Sequence, residues 1–130
     1  MISANKALAA LASVSAQAEA DGRQVAIAVA DDHGELLAYL RMDGASLQAG
    51  VLAQNKAYTS ARDRQPTASL GEWSRNSGRA IGYWTDARIT GFGGGLPVVV
   101  DGKVVGGVGV SGLSEQDDEA LAREVIALLV

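Results

Sequence analysis

The chain has 130 residues, enough for one buried core and too few for two ordinary domains. Its formal charge of −4, with no lysine/arginine cluster, lacks the basic footprint that a phosphate backbone requires, so nucleic acid is not expected as a partner. It has no cysteine, which excludes disulfides, zinc–thiolate sites and a thiol nucleophile.

Hydrophobic residues make up 48% of the chain but aromatics only 5%, and 16 residues are glycine, so the core is expected to be built from small side chains packed closely. Ser3 is placed to cap a first helix reaching about Ala20, with Leu8, Leu11, Ser15 and Ala18 along one side and Asp21-Gly22 at its end. Ala16-Gln17-Ala18 mimics a secretory cleavage site. The apolar run before it is short and alanine-rich, so the segment is read as a helix and the protein as cytoplasmic, with secretion left open. No run has the length of a membrane span, and no membrane partner is expected.

Val25 to Ala30 alternates branched residues with alanines, predicting a strand apolar on both faces and therefore covered on both. Asp31-Asp32-His33-Gly34 turns the chain, and Leu36 to Arg41 returns as a second strand with Tyr39 and Arg41 on one face. Ser46 caps the next helix, in which Leu47, Val51, Gln54, Tyr58 and Ala61 recur at helical spacing while Lys56 falls off that stripe. Pro66 breaks the chain, and Ser69-Leu70-Gly71-Glu72 has capping-box spacing for a short helix carrying Trp73. From Ser77 to Gly95 the pattern predicts loop with at most one short strand.

Leu96 to Val100, Asp101-Gly102 and Lys103 to Val110 predict a hairpin closed by a favoured two-residue turn. Ser114-Glu115-Gln116-Asp117 then opens a last helix with Leu121, Val125 and Leu128 as its buried stripe. The order of elements reads as a single α+β domain, an antiparallel sheet covered by helices, and not as a Rossmann fold.

Several segments resemble the GlcG/HbpS family. They are Asp31-x-x-Gly34-x-Leu36, Arg41-Met42-Asp43-Gly44-Ala45, Lys56-Ala57, Gly93-Gly94-Gly95-Leu96-Pro97, and Asp101 to Gly112 followed by Gln116-Asp117. Together they span nearly the whole chain. The resemblance implies a profilin-like fold, homo-oligomers, and relatives that include haem-binding proteins and the C-terminal domain of PduO-type adenosyltransferases.

Haem is the cofactor that resemblance implies, and His33, the chain's one histidine, is the residue that could ligate its iron. Its other reading is a solvated turn residue. Gly93, Gly94 and Gly95 either let backbone N–H groups approach an anion or make a tight connection. Lys56 and Arg41 are the cations expected beside a ligand carboxylate, against solvated positions on a helix face and a strand edge. Asp31 is a general-base candidate, or a partner for Lys56, against the turn role usual for aspartate. Tyr83, Trp84 and Phe92 are read as pocket walls, against core packing.

Three functions fit these residues. The first is an oligomeric binder of haem or another small apolar acid. The second is a cofactor-independent isomerase, decarboxylase or hydrolase of small-molecule catabolism, with Lys56 or Asp31 as its acid/base. The third is an accessory subunit that assembles with a catabolic enzyme.

Overall fold

In the computed structural model, which describes residues 1–130, four strands form one antiparallel sheet in the order β2-β1-β4-β3. The strands are β1 (Ala26–Asp31), β2 (Leu36–Arg41), β3 (Gly95–Val100) and β4 (Lys103–Ser111). Helices α1 (Ala4–Ala20) and α4 (Glu115–Leu129) cover one face. Helix α2 (Leu47–Asp63) covers the other, and α3 (Thr67–Ser77) follows it. No helix is long and apolar enough to cross a membrane.

The two faces of β1 are built differently, as the alternation predicts. Val25, Ile27 and Val29 join Leu96, Val98, Val108 and Val110 in a core sealed by Leu11 and Val14 of α1 and by Leu121 and Val125 of α4. Ala26, Ala28 and Ala30 pack instead on Ala49, Ala53 and Ala57 of α2. On that face β4 presents Gly107 and Gly109. A Cβ at Gly109 would lie 2.1 Å from the Ala53 carbonyl oxygen, and one at Gly107 would lie 2.3 Å from that of Ala57. The strand glycines are therefore there to let α2 rest on the sheet backbone.

The caps form as their residue types require. Ser3, Ser46 and Ser114 side chains accept N–H bonds from Lys6, Ala49 and Asp117. Asp101 and Gly102 both have positive φ, the conformation needed at both centres of the β3–β4 hairpin turn.

Four expectations are corrected. In α2, Leu47 and Val51 are exposed, and the buried positions include Ala49, Ala53, Lys56, Ala57 and Ser60. A glycine and alanine sheet face selects small side chains, so Leu47 and Val51 stay outside, while Tyr58 and Ala61 of the expected stripe are buried. In α1, Leu8 is exposed and Ala7, Ala10 and Val14 join Leu11 and Ala18 inside. In α4, Leu129 rather than Leu128 closes the buried face. Helix α3 starts at Thr67, after Pro66 and without a side-chain cap, so Ser69 lies inside its first turn. The stretch before β3 holds a single 3-10 turn, Ile81–Trp84, and no strand.

Candidate functional site

The residues singled out in the sequence fall into separate places. The first is a sealed clasp beneath the glycine run. Lys56 is 1% exposed, and its Nζ donates to the Val110 carbonyl at 2.8 Å and to Asp118 Oδ2 at 3.2 Å. Asp118 Oδ1 accepts the Leu113 N–H at 3.0 Å. The clasp thus ties α2 to the end of β4 and the first turn of α4. Burial pushes the Lys56 ammonium below its ordinary range and the Asp118 carboxyl above its own, while each opposes the shift of the other.

Glycines make room for this clasp. Gly94 has φ +122°, and a Cβ there would lie 2.7 Å from Lys56 Nζ. One at Gly95 would lie 2.6 Å from the Lys56 carbonyl oxygen. The glycine run is also occupied from within the chain. The Gly93 N–H donates to Glu115 Oε1 at 2.6 Å, and the Gly95 N–H donates to Thr67 Oγ1 at 2.9 Å. These contacts favour the tight-connection reading of the run.

Asp31 is not the partner of Lys56. Its carboxylate accepts the N–H groups of His33 and Glu35, both at 2.9 Å, which is the turn role. Asp31 pairs with Gly106, whereas Lys56 packs over Gly109, opposite Ala28, roughly 10 Å along the strand. Arg41 is also remote, since it sits on edge strand β2, the glycine run leads into the opposite edge β3, and its Nη1 donates to Ala45 O at 2.8 Å.

The second place is the tip of the β1–β2 hairpin, where the His33 side chain is 81% exposed and its Nε2 lies 3.8 Å from Asp32. Two guanidinium groups stand beside this hairpin. Arg62 Nη1 donates to the His33 carbonyl at 3.2 Å, and Arg88 Nη1 lies 4.0 Å from Glu35. Both lie against the Tyr58 ring, with Arg88 at 3.7 Å and Arg62 at 5.0 Å from its centroid. The Tyr58 hydroxyl donates to Asp86, which also accepts the Arg88 N–H at 3.0 Å. Burial, then the bond to Asp86, raises the Tyr58 hydroxyl above its ordinary range; that same bond, then the Arg88 N–H, lowers the Asp86 carboxyl. Thr59 Oγ1 fixes the segment further, accepting from Thr90 N at 3.1 Å and donating to Arg88 O at 3.2 Å.

The aromatics do not converge on one pocket. Trp84 packs edge-on against Trp73, centroids 5.8 Å apart, and Tyr83 is exposed. Phe92 alone of the three lines a groove between α3 and the start of α4. Asp118, Arg62, Glu115 and Arg75 escaped the sequence reading. Asp118 offers one faint signal, its place beside Gln116-Asp117 at a helix start, where an acid also serves the helix dipole.

No group of three histidine, cysteine or carboxylate side chains is arranged to hold a metal ion. The hairpin tip does fit one requirement of haem, because it offers an accessible imidazole beside two cations suited to propionates.

A family model described as haem degrading protein HbpS-like matches residues 2–127. The chain belongs to the HbpS-like family. This HbpS-like chain is 41% identical to protein GlcG of Escherichia coli strain K12 over 111 residues, 85% of the chain and 81% of GlcG. Its fold matches the crystal structure of a double mutant of HbpS from Streptomyces reticuli with a TM-score of 0.87 and 33% identity, covering 99% of this chain and 87% of that one. It also matches the crystal structure of a PduOC–haem complex, TM-score 0.82 and 28% identity, over 95% of this chain and 89% of that one.

Proposed function

We propose that this HbpS-like chain is a small-ligand-binding protein whose ligand is haem, held at the tip of the β1–β2 hairpin. The observation that carries this reading is the exposed His33 imidazole with Arg62 and Arg88 beside its hairpin. The haem complex of a PduOC relative with the same fold supports the choice of ligand. His33 would hold the haem iron through its imidazole, while Arg62 and Arg88, held against Tyr58, would pair with the propionates. When bound, haem supplies a redox-active iron and an intense visible absorption. The His33 side chain is exposed, so a homo-oligomer in which a second copy covers the bound ligand completes the proposal.

The sealed clasp argues against the reading in which Lys56 is an acid/base. At 1% exposure its ammonium meets no substrate without movement of α4 or of the glycine run. Its bonds to Val110 and Asp118 make it a tie between three elements.

The arginines give the reading a direct test. Titration with haemin and with haemin dimethyl ester, whose propionates are uncharged, should show the wild type preferring haemin by about tenfold. The Arg62→Gln/Arg88→Gln variant should lose that preference. Equal affinity of the wild type for both compounds would overturn the assignment.

A further inference from the structure

Away from the hairpin tip, a groove of about 410 Å³ runs between α3, the segment Ile89 to Phe92 and the first residue of α4. We infer that this groove is a second, independent binding site, for a small monocarboxylate with an apolar body, its carboxylate on Arg75 and its body against Ile81, Ile89 and Phe92.

The floor is made by two glycines in backbone contact. A Cβ at Gly71 would lie 2.2 Å from the Gly91 carbonyl oxygen, and one at Gly91 would lie 2.9 Å from Gly71 Cα and 3.2 Å from Ile81. Side chains larger than hydrogen at either position would push the loop off α3 and alter the groove. The segment is tied locally as well, since the Phe92 N–H donates to Thr90 Oγ1 at 3.3 Å. Ser74 Oγ, also in the lining, donates to the Arg79 carbonyl at 2.7 Å and anchors the chain leaving α3.

The charges set the class of ligand. Arg62 and Arg88 lie at the hairpin tip, away from this groove, and Arg123 pairs with Glu119, whereas Arg75 has no carboxylate within 4.0 Å. Its guanidinium borders a groove whose other walls carry Ile81, Ile89 and the 60%-exposed Phe92. Glu115 is the one acid in the lining, and its Oε1 is turned to the Gly93 N–H at 2.6 Å. A cation facing apolar walls fits a carboxylate attached to a ring or a branched chain, because each half of such a ligand meets its own complement.

The test is an amide-resolved NMR titration of the full chain with phenylacetate, and with benzyl alcohol as the uncharged counterpart. Saturable shifts of the Gly91 and Phe92 amides below about 10 mM phenylacetate are expected, with benzyl alcohol at least tenfold weaker. Arg75→Gln should weaken phenylacetate by about tenfold or more, while Lys103→Gln, an exposed cation on the β3–β4 hairpin, keeps wild-type affinity. Phe92→Ser carries the same expectation as Arg75→Gln and serves if that variant does not fold. Absence of saturation, equal affinity for the alcohol, or unchanged affinity in the folded variants would each overturn the inference.

Discussion

The Lys56–Asp118 clasp and the His33 hairpin tip both gather charged side chains from distant parts of the chain, yet they stand in opposite relations to water. In the clasp both partners are almost completely buried, and each charge is tolerated because the other is hydrogen-bonded to it. At the hairpin tip the imidazole and the Arg88 guanidinium are more than half exposed and remain available to a ligand. A residue type alone does not say which role it plays. The difference lies in what the neighbouring backbone permits, since Gly94, Gly95 and Gly109 let the chain close over Lys56, while the turn at Asp31 lifts His33 into solvent.

The largest expected effect breaks the clasp. Lys56→Ala leaves the Asp118 carboxylate buried without its cation and should cost about 3–5 kcal/mol in chemical denaturation. The double variant Lys56→Met/Asp118→Leu removes both charges and should recover most of that loss; if it were as unstable as Lys56→Ala, an uncompensated charge would not be the cause. Gly109→Ala strains the backbone on the same buried side of the molecule. Its Cβ would meet the Ala53 carbonyl, backbone that a side-chain rotation cannot move, so a loss of about 3 kcal/mol is expected from the same measurement.

The exposed cluster should instead respond to pH. The Asp86 carboxyl is lowered in the folded chain, so its contribution is present above the unfolded value of about 3.9 and lost as pH falls through the lower folded value. Stability followed from pH 6 downward should therefore decline below about pH 4, and Asp86→Asn should flatten that part of the profile. A profile unchanged by Asp86→Asn would remove the Tyr58–Asp86 bond from the account. The smallest effect belongs to His33→Ala, which should leave stability within about 0.5 kcal/mol of wild type.

Much of the fold was legible because alternation, capping serines and the Asp101-Gly102 turn each carry a local physical reason. The α2 stripe is legible at Tyr58 and Ala61, which are buried, but not at Leu47 and Val51, because a sheet surface of Ala28, Gly107 and Gly109 selects small side chains such as Ala49, Ala53 and Ala57 against it. Lys56 and Asp118 meet only after α4 folds back on β4, and no local spacing encodes that encounter. His33 stood out as the lone imidazole. Its company of Arg62 and Arg88 did not, because it depends on the hairpin tip meeting α2 and the segment near Asp86.

The proposed ligation of haem iron by His33 is tested by a haemin titration of wild type and His33→Ala, followed at the Soret band. A saturable, shifted band is expected in the wild type and is lost in the variant while the fold persists. An identical band in both proteins, or featureless partitioning in the wild type, would contradict it.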